Sequence, residues 1–168
     1  WGDHGWHLGD HGLFCKHTNF EQATRAPLII RAPGIGQGTS TASPTEFVDI
    51  FPTLCDLAKL EIPQQLEGTS LVPLLDGSAD SVKEFAVSQY PRSADGKPVM
   101  GYAYRSDRYR YVEWKQMSYR QGERTGPIVA RELYDYEKDP LETVNVVDSP
   151  EYRDTVEWFE KRVNNAGK

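Results

Sequence analysis

Trp1-Gly2-Asp3-His4-Gly5-Trp6-His7-Leu8-Gly9-Asp10-His11-Gly12-Leu13-Phe14-Cys15-Lys16-His17 opens the chain and holds all 4 of its histidines. Gly5, Gly9 and Gly12 recur too often for a helix, since an interior glycine costs about 1 kcal/mol relative to alanine. The stretch reads as a glycine-rich loop that gathers titratable groups. Two chemistries fit it. In one, His7 and His11 with a carboxylate form a zinc site of the H-x-x-x-H kind, which needs a helix to bring both rings to one face. In the other, Asp3 and His4 stand at the carboxyl end of a preceding strand as adjacent ligands of one metal ion, and Lys16 returns a cation to the same place. A metal and a lysine together suit an anionic ester, because both stabilise oxygens whose charge shifts during displacement. The loop opens the sequence without an initiator Met or a lead-in strand, so we read the chain as part of a longer protein.

Outward from the loop, Pro27-Leu28-Ile29-Ile30-Arg31-Ala32 is a short apolar run closed by Pro33-Gly34, the pattern of a buried strand in a parallel α/β sheet. Ser43-Pro44-Thr45-Glu46 predicts a helix start, with Ser43 as N-cap, Pro44 first in the helix and Glu46 as capping acid. Phe47, Ile50, Phe51, Leu54, Leu57 and Ala58 follow at helical spacing, and Pro52 is expected to kink that helix. The character changes near residue 80. Phe85–Tyr90, Gly101–Arg105, Tyr109–Trp114 and Glu132–Tyr136 read as strands of an antiparallel meander. Ser149-Pro150 opens a last helix with the stripe Tyr152, Val156, Phe159 and Val163. Residues 1–80 are thus expected to end an α/β domain, and 81–168 to form a small antiparallel sheet covered by a helix.

Hydrophobic residues make up 38% and charged residues 26% of the 168, a globular composition with enough chain for a sizeable core. The net charge of -6 argues against nucleic acid, which needs clustered Lys and Arg. No apolar run approaches the ~20 residues that span a bilayer, so no membrane partner is expected. Cys15 and Cys55 stand far apart and indicate neither a zinc knuckle nor a disulfide framework. Arg92, Lys97, Arg105 and Arg108 are the cations available to meet an acidic ligand on the second unit. Lys16 lies between Phe14 and Phe20, a setting expected to be partly dry.

The block from Asp3 to Gly12, with Cys15-Lys16-His17 and Asn19-Phe20-Glu21-Gln22-Ala23-Thr24-Arg25-Ala26-Pro27-Leu28, resembles the sulfatase family, and within it the branch of iduronate-2-sulfatase. The similarity continues through Val48-Asp49-Ile50-Phe51-Pro52-Thr53-Leu54, Glu67-Gly68-Thr69-Ser70-Leu71, Ser88-Gln89-Tyr90-Pro91-Arg92, Met100-Gly101-Tyr102 and Glu132-Leu133-Tyr134-Asp135. The resemblance implies the last part of an alkaline-phosphatase-like α/β domain followed by an antiparallel sheet with a C-terminal helix. It implies a sulfuric ester hydrolase acting on sulfated carbohydrate, with calcium or another divalent metal and a formylglycine nucleophile. Asp3 and His4 match metal ligands, Lys16 matches the catalytic lysine on the sulfate, and Trp6 and His7 are expected to line the substrate pocket. Periplasmic, secreted or lysosomal placement follows from the same resemblance.

This sequence also departs from the family's pattern. None of its 11 prolines has Cys or Ser two places before and Arg two places after, so no formylglycine motif occurs. The family's early Asp-Asp ligands are absent too. The nucleophile is therefore expected from an N-terminal sulfatase portion or chain, and residues 1–168 alone are expected to be inactive. Many relatives carry Asn where this chain has His4. Calcium prefers oxygen while imidazole suits zinc, so the metal's place is better specified than its identity. Two other functions remain open: a non-catalytic module that binds sulfated glycans, and a phosphatase or phosphonate hydrolase on the same fold.

Overall fold

The computed structural model describes residues 1–35, 38–117 and 126–166. As the glycines require, the opening segment is a tight hairpin and not a helix. Strands β1 (His7–Leu8) and β2 (Phe14–Cys15) pair antiparallel around a 3-10 turn at Asp10–Gly12. Gly9 and Gly12 take φ of 123° and 68° there, a region that glycine enters without a Cβ clash. One helical turn, α1 (Glu21–Thr24), follows.

The chain forms two compact units, Trp1–Pro27 with Ser88–Lys168, and Leu28–Val87. The histidine-rich opening therefore groups with the C-terminal sheet, although the sequence changes character near residue 80.

In Leu28–Val87, α2 (Ile50–Leu57) follows a 3-10 turn at Phe47–Asp49, and α3 (Val72–Leu75) is a single turn. The start of this helical segment differs from the sequence expectation. The N-cap is Glu46, not Ser43, in a reciprocal capping box with Asp49. Asp49 is fully buried, and its carboxylate accepts from the Glu46 and Thr69 backbones and from Lys83 Nζ at 2.7–2.8 Å. A buried carboxylate with three donors outcompetes a half-buried Ser, whose hydroxyl is turned to the Pro44 carbonyl and Ser81, at choosing where the helix begins. Pro52 falls in the first turn of α2, where its missing N–H is no loss, so no kink is needed. The run 27–32 is assigned to no strand, and Ile29 is 87% exposed. An apolar run becomes a strand only when a neighbour pairs with it along a ladder, and among the described residues the run has only isolated bonds, Gly2 N–H to the Pro27 carbonyl and Ile35 N–H to the Ala32 carbonyl.

In the other unit, β3 (Ala86–Ala94), β4 (Lys97–Arg105), β5 (Tyr109–Gln116) and β6 (Ile128–Asp135) form an antiparallel sheet in chain order, as the alternation implies. Asp95 and Gly96, both at positive φ, make the two-residue turn between β3 and β4. Pairing of Gly101 with Trp114, and of Arg110 with Tyr134, sets two faces. One carries Tyr111 and Leu133 toward α4 (Arg153–Ala166), where Phe159 stacks on Tyr111 at 5.2 Å. The other carries Val99, Ala103, Val112 and Trp114, a buried cluster, toward the opening loop. Pro150 starts the last helix through a 3-10 turn that follows Ser149, and Tyr152, Phe159 and Val163 are buried as their spacing requires. Among the described residues no helix is long and apolar enough to cross a membrane.

Candidate functional site

Asp3 and His4 are held by backbone bonds on both sides. Gly2 N–H donates to the Pro27 carbonyl at 3.0 Å, and Gly5 N–H to the Ala23 carbonyl at 2.8 Å. A Cβ on Gly5 would sit 1.9 Å from the Gln22 carbonyl oxygen, so only glycine allows this approach. The pair is thus clamped to α1 and the residues just after it.

α1 is in turn held from far along the chain. The fully buried Glu142 carboxylate accepts from the Glu21 backbone N–H at 2.8 Å, from Tyr136 Oη at 2.5 Å and from Arg110 Nε. Arg110, only 2% exposed, lies over the rings of Phe20 and Tyr134 at 4.8 and 4.6 Å. The Glu21 side chain pairs with Arg105 at 2.9 Å. Asn19 donates to the Gly101 carbonyl at 2.9 Å, which lays the end of the loop on the sheet. None of Glu142, Arg110 and Asn19 was identifiable from sequence as a support, because Glu142 meets Glu21 across 121 residues, Asn19 meets Gly101 across 82, and Arg110 meets Glu142 across 32.

Within the clamp, Asp3, His4 and Lys16 meet. His4 Nδ1 lies 2.6 Å from the Gly5 carbonyl, which can only accept, so the proton is on Nδ1 and Nε2 carries a lone pair. Lys16 Nζ donates to that lone pair at 2.7 Å, and Asp3 Oδ2 stands 3.3 Å from the same nitrogen. Here the Lys16 ammonium is the cation that faces this pair, and the 3.3 Å separation also suits two ligands of one metal ion. Donors at right angles on one calcium-sized ion, each about 2.3–2.6 Å from it, stand about 3.3–3.7 Å apart. A histidine whose other N–H is fixed by a carbonyl is also the usual form of a metal ligand. Asp3 and His4 therefore fit as two ligands of a divalent cation. No cluster of three or more His, Cys, Asp or Glu poised for a metal occurs among the described residues.

The remaining expected residues fall differently. Trp6 is 51% exposed and stacks on His4 with ring centroids 5.7 Å apart, so it borders the trio. His7 was expected beside it in a pocket wall but is wholly buried, with Nε2 2.8 Å from Thr18 Oγ1 and burial lowering its pKa. The period of two in β1 turns His7 inward and Leu8 outward. The rings of His7 and His11 come within 6.1 Å of each other, but the helix that the zinc reading needs does not form and no third ligand joins them among the described residues. The H-x-x-x-H pairing needs a helix, and here His7 is in a strand while His11 stacks on Phe20 at 3.9 Å. Lys16 is not dried by Phe14, which is 71% exposed; the ring beside it is that of His4. Arg105 and Arg108 are committed to Glu21 and Asp135, while Arg92 and Lys97 pair with no carboxylate among the described residues.

Residues 9–168 match the sulfatase family described as N-sulphoglucosamine sulphohydrolase, C-terminal. A sulfatase of Formosa agariphila is 30% identical over 157 residues, covering 94% of this chain and 27% of that protein. Iduronate 2-sulfatase of Mus musculus is 32% identical, covering 89% of this chain and 38% of its own length. Among solved structures, a 2-O GAG sulfatase superposes with a TM-score of 0.78 at 28% identity, over 98% of this chain and 34% of the other. The phosphonate monoester hydrolase of Agrobacterium radiobacter gives 0.76 at 27%, over 97% and 33%. The chain spans between 26% and 38% of the length of the first curated relatives it matches.

Proposed function

The chain belongs to the sulfatase family, as its C-terminal region, and we propose that it supplies the metal-and-lysine half of a site that hydrolyses sulfate esters of sugars. The observation that carries this reading is the convergence of Asp3, His4 and Lys16, with the His4 tautomer fixed by the Gly5 carbonyl.

In the complete protein Asp3 and His4 hold a divalent metal, calcium by resemblance, together with ligands from an N-terminal portion. The bound metal supplies Lewis acidity toward sulfate oxygen and toward the nucleophile. The rest of the work in this chain is positional. Gly5 and α1 fix the His4 ring, and its Nδ1 proton stays on the Gly5 carbonyl. Lys16, whose Nζ lies 2.7 Å from His4 Nε2, stands beside the position such a metal would take and would direct its N–H donors to the sulfate. There it stabilises the oxygens as the S–O bond to the sugar breaks. Trp6, stacked on His4, offers a ring face to a sugar at the rim. The nucleophile, a formylglycine by resemblance, comes from the N-terminal portion. By resemblance residues 1–80 would close the catalytic α/β domain and 81–168 form its C-terminal subdomain, with Trp1–Pro27 sharing a compact unit with Ser88–Lys168.

The test is turnover of an aryl sulfate and a sulfated sugar by the protein joined to its N-terminal portion. Lys16→Ala should lower kcat/KM roughly a hundredfold, about 3 kcal/mol of transition-state stabilisation. Lys16→Arg should restore only part, since a planar fork replaces a point charge. Near-normal kinetics in a folded Lys16→Ala protein would refute the role. A second reading, phosphonate ester hydrolysis, is favoured by the structural likeness to the Agrobacterium hydrolase. Comparing aryl sulfate with aryl phosphonate separates the two, and a module that only binds sulfated glycans would turn over neither.

A further inference from the structure

His7 faces no open site, yet it is a titratable ring wholly buried in a two-residue strand. Its Nε2 lies 2.8 Å from Thr18 Oγ1, and its Nδ1 has no hydrogen-bond partner among the described residues. Burial holds its pKa below the ordinary histidine value, aided by His11 in the adjoining turn and opposed by Asp10 and Glu142, so the ring is neutral. A ring with one nitrogen unmatched is a poor filler, since an apolar side chain of similar size would pack there without stranding a polar atom. What the imidazole gains in this place is its bond to Thr18.

That bond spans Lys16. The His7 backbone pairs with Cys15 in the hairpin, and its side chain reaches on to Thr18, so the two contacts straddle the lysine in sequence. Cys15 takes φ of 69°, a left-handed conformation that a residue with a Cβ keeps only where its surroundings hold it. Thr18 N–H donates to the Lys16 carbonyl at 2.9 Å, and Thr18 Oγ1 also accepts from the Phe20 N–H at 3.2 Å. Thr18 and Asn19 are both buried, and Asn19 is tied to the Gly101 carbonyl. The main chain of Lys16 is thus held on both sides, while its ammonium reaches out to His4 Nε2 at 2.7 Å.

We infer that His7 is a positioning residue for Lys16: through Thr18, its buried ring holds the turn that aims the lysine ammonium at the ester. This rests on the sulfatase reading and deepens it, because it assigns the aim of Lys16 to a side chain that does not itself meet the substrate. Misplacing a catalytic group by about 1 Å costs up to about a hundredfold in rate, so loosening one of the anchors of this turn should cost about tenfold. The loss should fall on kcat, since the lysine is needed most where charge develops on the sulfate oxygens.

The experiment measures aryl sulfate turnover by the protein joined to its N-terminal portion. Thr18→Val, which exchanges the hydroxyl for a methyl, and His7→Leu should each lower kcat about tenfold and move KM by less than about threefold. His7→Gln, whose amide reaches the place of Nε2, should recover most of the loss. In a Lys16→Ala background neither Thr18→Val nor His7→Leu should lower kcat further, because the turn then has no ammonium to aim. Full activity in a folded Thr18→Val protein, or a tenfold loss that persists without Lys16, would overturn the assignment. If His7→Leu does not fold, Thr18→Val carries the same two comparisons. If no sulfate ester is turned over, the sulfatase reading fails separately, and hydrogen exchange across Cys15–Asn19 still decides. Exchange about tenfold faster in folded Thr18→Val than in wild type supports the role of the His7 bond in holding the turn, and unchanged exchange overturns it.

Discussion

Replacing Glu142 by Ala is expected to destabilise the Trp1–Pro27 and Ser88–Lys168 unit by about 4 kcal/mol. The magnitude follows from what the carboxylate does. It is fully buried and is the close counter-charge of Arg110, whose guanidinium is 2% exposed and has Nη2 already without a partner. Removing one member of a buried ion pair costs about 3–5 kcal/mol, because the other charge stays in a medium that cannot solvate it. Glu132, 4.0 Å from Arg110 Nη1, relieves part of that, while the lost acceptor for the Glu21 N–H adds about 1 kcal/mol. All 4 tryptophans, Trp1, Trp6, Trp114 and Trp158, lie in this unit, so intrinsic fluorescence in urea reports on it alone. With a slope of about 2 kcal/mol per molar, the midpoint should fall by about 2 M. Glu142→Gln should fall in between, keeping an acceptor but losing the charge. Combining Arg110→Met with Glu142→Gln should recover most of the loss, since the stranded cation is gone. A midpoint within 0.5 M of wild type (about 1 kcal/mol), or a double variant as weak as Glu142→Ala, would show that charge burial is not what makes Glu142 matter.

Gly68→Ala should destabilise Leu28–Val87 by at least about 2 kcal/mol in thermal melts, because its Cβ would stand 2.0 Å from the Val48 carbonyl oxygen. Asp135 bonds to Arg108 through two nitrogens at 2.9 and 2.7 Å, and that pairing holds its carboxyl below the usual range. Its stabilising contribution is therefore present above about pH 4 and lost as pH falls through the lowered folded value. Arg108→Ala should flatten the acid limb of stability against pH, and an unchanged limb would exclude the pairing as its cause. Isolated residues 1–168 should bind calcium only weakly by calorimetry, since Asp3 and His4 are two ligands where roughly six to eight are wanted. Tight binding there would reveal ligands beyond these two.

Much of the architecture was local enough to read. The alternation along β3 to β6 could bury one set of side chains only as strands, and the four-three-four stripe of Tyr152, Val156, Phe159 and Val163 could do so only as a helix. Asp95-Gly96 carried its turn in the open, although the strands on either side were expected to stop short of it. Asp3, His4 and Lys16 were recognisable as a set because a short hairpin brings neighbours in sequence together in space.

Other features had no local signature. Whether Leu28-Ile29-Ile30 becomes a strand depends on a backbone partner that the segment cannot carry within itself. His7 and His11 look alike in sequence, yet the pleat of a two-residue strand buries His7 while His11 sits in the turn beyond it and stays exposed. Arg92 and Arg108 are both strand-region arginines; only the meander's register decides that Arg108 meets Asp135 while Arg92 lies over Trp114. Glu142 reaches Glu21 across 121 residues. The sequence determines which short segments can bury an apolar face, because that depends on spacing alone. Which charges are neutralised and which remain free for a ligand is decided by tertiary structure, because an ion pair depends on distance in space and not along the chain.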